Sequence, residues 1–406
     1  MSARRVLAVL AASELCGMAP WFSASAVAPA LSRVWRLDTA GGAWLTISVQ
    51  FGFVVGALVS ALLTLSDRWS ARRLVAGSAW LAGLATLGVA LAPGPGAGIT
   101  LRMLTGAALA GVYPPGMKIV AGWYREGRGL AIGVLVGALT LGSALPHLVR
   151  WAVPAEHWRP VLVMAAAAAF VGGLLVLLVP HDGPFAAPAP PFSWRAAPRI
   201  LADRAMSLAN LGYLGHMWEL YAMWTWLAAF VTASELARSG GDPTAGGGGG
   251  RTPALVTFAV VGSGALGCWL GGKFADRWGR TLITSVAMTL SGTCALAAGI
   301  AFGRPLVMLV PLLLVWGVTV IADSAQFSAA VSELAPRELV GTALTLQTSL
   351  GFLLTCLTIY LLPWVAARVG WRWSMSLLAL GPACGVWAML ALRQRPEAAA
   401  LAGGRG

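Results

Sequence analysis

Two long apolar runs in the second half of the chain are separated by a charged stretch that reads Gly271-Gly272-Lys273-Phe274-Ala275-Asp276-Arg277-Trp278-Gly279-Arg280. It interrupts a sequence of 406 residues in which 58% are hydrophobic and only 11% are charged. A partial copy lies 209 positions upstream and reads Asp67-Arg68-Trp69-Ser70-Ala71-Arg72-Arg73. A charged stretch that recurs at half the chain length predicts a protein built from two similar halves.

The composition is that of a membrane protein, because in an ordinary soluble domain roughly a quarter of the residues are charged. A helix needs ~20 mostly apolar residues to cross the hydrocarbon core of a bilayer. The runs are continuously apolar instead of alternating, which excludes a transmembrane β-barrel. We predict twelve membrane-spanning helices, near residues 6–31, 43–65, 74–92, 97–120, 130–149, 160–180, 206–232, 253–274, 281–302, 305–327, 341–363 and 373–392.

The basic residues predict the orientation of the chain in the bilayer. The net charge is +13, but the positive residues are scattered through short loops, so we expect no nucleic-acid partner. One set of alternate loops holds seventeen Lys and Arg residues and the other holds nine. By the positive-inside rule both termini are cytoplasmic, in a bacterial-type inner membrane.

A second repeated segment supports the duplication. Arg125-Glu126 precedes span five and Arg337-Glu338 precedes span eleven, and both segments read Arg-Glu-x-x-Gly-x-Ala. Parallel six-span repeats related by an axis along the membrane normal are a transporter architecture. We therefore predict four parts, which are an N-terminal six-helix bundle at 1–180, a cytoplasmic linker at 181–205, a C-terminal six-helix bundle at 206–392 and a cytoplasmic tail at 393–406.

Three motifs carry a resemblance to a known family. The pattern Gly272-x-x-x-Asp276-Arg277-x-Gly279-Arg280 resembles the signature loop of the major facilitator superfamily, and Arg102-x-x-x-Gly106 resembles its span-four motif. The segment 115–131 is similar to the span-four-to-five loop of organic-anion symporters. The resemblance implies an all-α membrane protein whose twelve transmembrane helices form two pseudo-symmetric six-helix bundles, with no cofactor.

The resemblance also implies a latch at the signature loops that holds the outward-facing state. In the first copy only Asp67, Arg68 and Arg72 match the family pattern, since Leu63, Ser70 and Ala71 replace the expected residues. The alternative is that the basic residues are only positive-inside anchors. Our latch candidates are Asp67, Arg68, Arg72, Gly272, Asp276, Arg277, Gly279, Arg280, Arg125, Glu126, Arg337 and Glu338.

Charged residues inside the predicted spans are candidates for the solute and proton site. A charge at a helix centre costs ~2.5–3.5 kcal/mol on insertion scales, so such a residue usually serves a site or is paired. Glu14 in span one and Arg102 in span four could pair, either within the solute site or as a static ion pair. Tyr113 follows on the same face as Arg102.

Span seven carries His216 and Glu219, which are three residues apart, so they share a face and can form a hydrogen bond. A carboxylate beside an imidazole can carry a proton. Trp226, one heptad past Glu219, is our candidate for an aromatic in the cavity. In span ten, Asp323 and Gln326 lie on one stripe and are candidates for proton coupling or solute binding. We predict no metal site, because two ligands on one helix are too few.

These observations predict a secondary active transporter that moves a small organic solute with protons by alternating access. Arg102 and Lys118 favour a carboxylate or other organic anion. If Glu14 neutralises Arg102, the remaining carboxylates favour the alternative, a proton-coupled exporter of cationic or amphipathic drugs. A solute sensor that transports nothing is a further alternative. We expect a monomer whose partners are the solute, protons and the bilayer.

An enzyme is not expected. The sequence has no Gly-x-Ser-x-Gly, no His-Glu-x-x-His and no facing pair of aspartates that would support intramembrane catalysis. It also has no phosphate-binding loop ending in Gly-Lys-Ser/Thr, so ATP does not drive transport.

Overall fold

The computed structural model describes residues 1–125, 127–154, 156–186, 192–242 and 250–406. All regular secondary structure in these residues is helical, which confirms the predicted all-α class. We call α1 to α10 the first half; they are α1 Ala3–Met18, α2 Ser23–Ala26, α3 Ala28–Trp35, α4 Thr39–Leu62, α5 Leu65–Arg68, α6 Ala71–Leu91, α7 Pro95–Leu109, α8 Tyr113–Trp123, α9 Arg128–Ala152 and α10 Arg159–Leu177.

The short helix α11, Ala197–Ala202, lies in the predicted linker and precedes the remaining helices. We call α12 to α19 the second half; they are α12 Arg204–Arg238, α13 Arg251–Trp278, α14 Arg280–Ala301, α15 Leu306–Ala322, α16 Ser324–Leu334, α17 Val340–Val369, α18 Trp371–Ser374 and α19 Leu380–Arg393. Helix α12 begins close to the predicted start of span seven but runs six residues beyond its predicted end at 232.

Nine helical segments in the described part of the chain are long and apolar enough to cross a membrane. They are Thr39–Leu62, Ala71–Leu91, Gly129–Ala152, Arg159–Leu177, Arg251–Trp278, Arg280–Ala301, Leu306–Leu334, Arg337–Val369 and Trp371–Arg393. The three other predicted spans are helical as well. Spans one and four are each broken into shorter helices, and α12 is the polar helix that carries His216 and Glu219.

The breaks are a correction to the sequence analysis, which predicted continuous spans. Span one breaks between Met18 and Ser23, around Pro20, and span four breaks between α7 and α8, where Pro114 is in the first turn of α8. Proline lacks the N–H that would continue the helical hydrogen bonds. Span ten breaks at Asp323, between α15 and α16. Each break exposes backbone groups that must find other partners.

Contacts between the two halves are concentrated in two helix pairs. Helix α9 packs along α13, and α4 packs along α17. Within the first half α4 also packs closely on α7, with Gly106 directly against the Val49 carbonyl. Small residues allow helices to approach this closely in a membrane, where apolar burial does not drive helices together.

The signature stretch is largely helical and not the polar loop that the sequence analysis predicted. Residues 271–278 form the last two turns of α13, and only Gly279 separates α13 from α14. Gly279 has φ +93°, a backbone conformation that residues with a side chain rarely adopt, which explains why glycine occupies this position. Gly272 lies against Gly129, so that α13 and α9 meet without intervening side chains.

Substituting one glycine tests this packing. We expect Gly106→Ala to destabilise the protein by about 1–3 kcal/mol, because its Cβ would overlap the backbone of Val49. Gly77→Ala is the matched control in α6, where an added Cβ would meet nothing within 4 Å. The control should be neutral or stabilising by up to ~1 kcal/mol, from helix propensity alone. Thermal unfolding in detergent measures both variants, and equal melting temperatures would contradict the packing described above.

Candidate functional site

The guanidinium of Arg102 is fully buried and binds backbone carbonyls, not a carboxylate. Its Nη1 donates to the Pro20 carbonyl at 2.7 Å, Nη2 donates to the Trp21 carbonyl, and Nε donates to the Leu45 carbonyl at 3.2 Å. Nη1 also lies 3.4 Å from the Ser23 hydroxyl. Two of these carbonyls belong to the break in span one. Arg102 therefore satisfies backbone carbonyls at the break in span one.

The predicted Glu14–Arg102 pair is absent, because the Arg102 donors point to the break instead. Glu14 is buried in α1, and its Oε1 has no hydrogen-bond partner among the described residues. Its Oε2 lies beside Gly116 of α8. Tyr113 is the first residue of α8 and is partly buried. Glu14 is thus a buried carboxylate with free hydrogen-bonding capacity between α1 and α8.

His216 and Asp323 form the closest buried pair of titratable groups in the described chain. Nδ1 of His216 lies 2.9 Å from Oδ1 of Asp323, and both side chains are 1% exposed. The contact has ion-pair distance but not the angle of an aligned hydrogen bond, and the Nε2 of His216 has no partner among the described residues. Asp323 stands at the break in span ten, so α12 and α15 present the pair to each other.

Glu219 is enclosed by partners of its own, so the predicted hydrogen bond from His216 to Glu219 is not formed. Its Oε2 accepts from the Ser291 hydroxyl at 2.8 Å, and its Oε1 accepts from Trp316 Nε1 at 2.7 Å. These bonds tie α12 to α14 and α15. Glu219 is 1% exposed and has both oxygens bound, whereas Glu14 has one free.

The side chain of Gln326 binds a residue of the signature stretch and takes no part in the His216–Asp323 contact. Its Oε1 accepts from Nη1 of Arg280 at 2.7 Å, while Arg280 also binds both carboxylate oxygens of Glu333, at 2.7 and 2.5 Å. Arg280 lies 3.8 Å from Asp276. Sequence reasoning missed Glu333, whose only sequence signal is a carboxylate near the predicted cytoplasmic end of α16.

Asp276 faces the N-terminus of α9 in the other half. Its carboxylate lies so close to Gly129 that an added Cβ there would be 2.7 Å from Oδ2. A carboxylate at this end of a helix is stabilised by the helix dipole. The Arg405 guanidinium binds the Asp276 carbonyl, so the predicted tail packs against the stretch. Arg277 is exposed beside it.

The first copy of the stretch is arranged differently. Asp67 pairs with Lys118 of α8 at 2.5 Å, and Nη1 of Arg72 donates to the Val179 carbonyl at 2.8 Å. Asp182 caps α6, accepting from the backbone N–H groups of Ala71 and Arg72 at 2.9 and 3.3 Å. These contacts involve the first half and the start of the predicted linker, and none reaches the second half.

The remaining sequence candidates lie at the surface or away from the centre. Arg68, Arg337 and Glu338 are exposed. Arg125 is exposed and stacks over Phe185 with 4.4 Å between its Cζ and the ring centroid. Glu126 lies outside the described residues. Trp226 donates to the Ile359 carbonyl at 2.9 Å and packs on Trp371, so it joins α12 to α17 and α18.

The C-terminal end of α9 holds a charge contact that sequence reasoning missed. Nε of Arg251, the first residue of α13, donates to the Trp151 carbonyl at 2.9 Å, and Nη2 lies 3.4 Å from the Ala152 carbonyl. These carbonyls end α9. The sequence analysis counted Arg251 only among the nine basic residues of the second set of alternate loops. Helix α13 therefore places a positive charge at the C-terminus of α9 and a negative charge at its N-terminus.

Six aromatic rings meet where the halves face each other near α4 and α17, and sequence reasoning missed them too. Three come from the first half and three from the second, and all are at most 6% exposed; they are Trp21, Phe22, Phe53, Tyr221, Trp224 and Phe352. We call them the six-ring cluster. The nearest cross-half pair, Phe53 and Phe352, has centroids 4.4 Å apart.

In the described part of the chain no group of three or more His, Cys, Asp or Glu residues could hold a metal ion.

Comparison with known proteins gives one family across most of the chain. Residues 10–359 match the sequence profile of the Major Facilitator Superfamily. The chain is similar to the gallate transporter of Pseudomonas putida, with 24% identity over 67% of this chain and 66% of the relative. It is also similar to the 3-(3-hydroxy-phenyl)propionate transporter of Escherichia coli (strain K12), with 25% identity over 63% of this chain and 60% of the relative. The chain thus spans less than two thirds of the length of either relative.

Two solved structures share the fold. One is the proton:xylose symporter XylE bound to 6-bromo-6-deoxy-D-glucose, with a TM-score of 0.70 and 15% identity over 96% of this chain and 94% of that one. The other is a variant of the nucleoside transporter NupG, with a TM-score of 0.70 and 16% identity over 95% of this chain and 99% of that one.

The roles of Arg102 and Glu14 can be separated by mutation. We expect Arg102→Gln to destabilise the protein by about 3 kcal/mol or more, because at least two buried carbonyls lose charge-assisted hydrogen bonds. Glu14→Gln should leave stability unchanged or higher, since Oε1 of Glu14 has no partner to lose. Thermal and denaturant unfolding in detergent measure both. A static Glu14–Arg102 pair would instead require both variants to be strongly destabilised.

Proposed function

Because the chain belongs to the Major Facilitator Superfamily, and is therefore a multi-pass membrane transporter and not an enzyme, we propose that it moves a small organic anion together with protons by alternating access. The observation that carries this proposal is the buried His216–Asp323 contact at the break in span ten. Both groups change charge with a proton, and both lie in the second half, His216 on α12 and Asp323 at the break between α15 and α16.

The proton site is proposed to be the His216–Asp323 pair. A buried ionised pair is strongly destabilised when one partner loses its charge, so the two protonation states of such a pair favour different surroundings. The Nε2 of His216 has no partner among the described residues and is therefore available to take up or release the proton. The Glu219 carboxylate accepts hydrogen bonds from Ser291 and Trp316, and we assign Glu219 a supporting role in holding α12.

The proposal that the solute is an anion is supported by the names of the relatives and no longer by Arg102. Gallate and 3-(3-hydroxy-phenyl)propionate, the solutes in the relatives' names, are organic acids. Arg102 is committed to backbone carbonyls and Lys118 to Asp67, so neither offers a free charge. We propose that entry with a proton offsets the negative charge of the solute.

One observation favours a second candidate function, the export of cationic or amphipathic compounds. Glu14 is a buried carboxylate with an unpartnered oxygen, which suits a cation. The direction in which the solute moves relative to the protons distinguishes the two functions. A symporter brings protons in with its anion, and an exporter brings protons in as the cation leaves.

Alternating access is proposed to work through the ends of α9. Asp276 and Arg251 of α13 hold opposite ends of α9, and each interaction complements one pole of the helix dipole. When one end separates, the other holds the halves together. We propose that each half moves as a six-helix bundle, with the bundles at 1–180 and 206–392 joined by the linker at 181–205.

The orientation and the assembly are also proposals. Both termini face the cytoplasm of a bacterial-type cell and the protein is an inner-membrane monomer. The end of the bundle that carries Asp276 is then cytoplasmic, and the end that carries Arg251 is outside. This assignment sets the direction in which each end of α9 must open.

Neutralising Asp323 tests proton coupling. We expect Asp323→Asn to abolish solute-induced proton uptake into proteoliposomes while solute exchange across the membrane persists, because the amide keeps the shape but cannot titrate. A trapped pH dye and a labelled solute measure the two activities. Glu156→Gln, at an exposed outer carboxylate, is the control and should retain both. Full proton uptake by Asp323→Asn would contradict the proposed site.

Breaking either end of α9 tests alternating access. We expect Arg251→Gln to favour opening on the outer side and Asp276→Asn to favour opening on the cytoplasmic side, each shifting the equilibrium by about 2- to 5-fold for a contribution of about 0.3–1 kcal/mol. Spin-label distances across each end measure the populations. Arg304→Gln, at another exposed outer arginine, should change nothing. Shifts in the same direction for both variants would refute the two-ended arrangement.

A further inference from the structure

The six-ring cluster is built from two layers, one from each half of the chain. Trp21 and Phe22 lie at the break in span one and Phe53 lies on α4, whereas Tyr221 and Trp224 lie on α12 and Phe352 on α17. The layers are in contact face to face at two places. Phe22 and Tyr221 are 11° from parallel with centroids 6.1 Å apart, and Trp21 and Tyr221 are 28° from parallel at 5.7 Å.

The cluster also contains polar atoms that nothing satisfies. The indole nitrogens of Trp21 and Trp224 are buried and have no hydrogen-bond partner among the described residues. Neither do the amide nitrogen and oxygen of Gln50, which is 0% exposed and lies one turn before Phe53 on α4. A buried donor without a partner costs free energy, and each such group in a folded protein calls for an explanation.

Other indoles of the second half have partners, so among these indoles the missing hydrogen bond is specific to the cluster. Trp226 donates to the Ile359 carbonyl, Trp218 to the Leu377 carbonyl and Trp316 to Glu219. The two indoles without a partner are those that lie between the halves, where a ligand of an alternating-access transporter would enter. Their donors are therefore available to a molecule that separates the two layers.

We propose that the six-ring cluster and Gln50 form the binding site for the ring of a hydroxylated aromatic carboxylate. The ring of the ligand takes a place between the two layers, in offset stacking with rings on both sides. The two indole N–H groups donate to oxygens on the edge of the ligand. The amide of Gln50 can both donate to such an oxygen and accept from a ring hydroxyl.

This chemistry distinguishes the ligand from other organic anions. Aromatic faces on both sides select a flat ring, and unpartnered neutral donors select oxygen substituents in its plane. A sugar or an aliphatic acid offers no aromatic face for stacking. The site lies at the break in span one, where the hydrogen bonds from Arg102 to the Pro20 and Trp21 carbonyls hold the backbone that carries Trp21 and Phe22.

The inference rests on the proposed transport function but can fail independently of it. The experiment is a titration of the full-length wild-type protein in lipid nanodiscs, with intrinsic tryptophan fluorescence and melting temperature as readouts. The probes are 3-hydroxybenzoate and cyclohexanecarboxylate, which share a carboxylate and a six-membered ring but differ in the aromatic face. We expect 3-hydroxybenzoate to quench the fluorescence and raise the melting temperature, and cyclohexanecarboxylate to do neither at tenfold higher concentration.

Three variants test the individual donors. Trp224→Phe, Trp21→Phe and Gln50→Leu should each weaken 3-hydroxybenzoate binding at least tenfold. Gln50→Leu should leave the melting temperature of the free protein equal or higher, because it removes unpartnered buried polar atoms with little change in volume. The two Trp→Phe variants leave space where the indole was and should lower the melting temperature. Trp226→Phe is the matched control, an indole of α12 outside the cluster, and should bind 3-hydroxybenzoate as the wild type does. A merely structural role for the cluster predicts unchanged affinity in all three variants.

The outcomes separate the inference from the proposed function. Equal binding of the two probes, or unchanged affinity in all three variants, overturns the inference. Proton-coupled uptake of cyclohexanecarboxylate without any response to 3-hydroxybenzoate overturns the inference and leaves the proposed function standing. Donor-dependent binding of 3-hydroxybenzoate without proton movement upholds the binding site and overturns proton-coupled transport. If Trp21→Phe does not fold, Trp224→Phe and the wild-type titration still decide the question.

Discussion

The structure depends on how one helix of the first half is held at its two ends by one helix of the second. Asp276 lies against the N-terminus of α9 and Arg251 binds the carbonyls at its C-terminus. Both charges come from α13, which packs along the whole of α9. A helix dipole accepts a negative charge at one end and a positive charge at the other, so the antiparallel pair is stabilised twice by the same physical effect.

Buried charge in this protein is tied to breaks in the helices. Arg102 satisfies the Pro20 and Trp21 carbonyls at the break in span one, and Asp323 lies where span ten is interrupted. Irregular backbone inside a membrane is tolerated only where protein or a polar cavity satisfies it. The breaks therefore decide where polar chemistry can be placed. Both bring side chains to the level at which the halves face each other.

The sequence predicted the parts of this arrangement that depend on composition and local pattern. The apolar segments followed from the length that a bilayer requires, and the buried Glu14, Arg102, Glu219 and Asp323 followed from the cost of a charge inside it. All four proved to be buried.

The partners of these residues could not be predicted in the same way. Arg102 was expected to bind Glu14, because two opposite charges are visible in a sequence and a released carbonyl at position 20 is not. His216 was expected to bind Glu219, its neighbour on one helix face, but it meets Asp323, more than a hundred residues away. The six-ring cluster combines three separate regions of the chain in addition to α12, and no periodicity links them. Arg251 was visible only as a loop charge, because its partner is the end of another helix.

The two contacts between the halves differ in a way that assigns them different tasks. The ends of α9 are held by interactions of about 0.3–1 kcal/mol each, up to ~2 kcal/mol where partly buried, so they break readily and one can replace the other. The α4–α17 contact is aromatic and buried, and separating it without a substitute exposes large apolar rings. A ligand ring that takes a place between the two aromatic layers removes most of the cost of exposing them. If the ligand binds one conformation ten times more tightly than the other, the difference is about 1.4 kcal/mol, which is comparable to the stabilisation by the charge at one end of α9. In the proposed alternating-access mechanism the aromatic contact would therefore control which end of α9 opens, and the charged ends would hold the conformation that results.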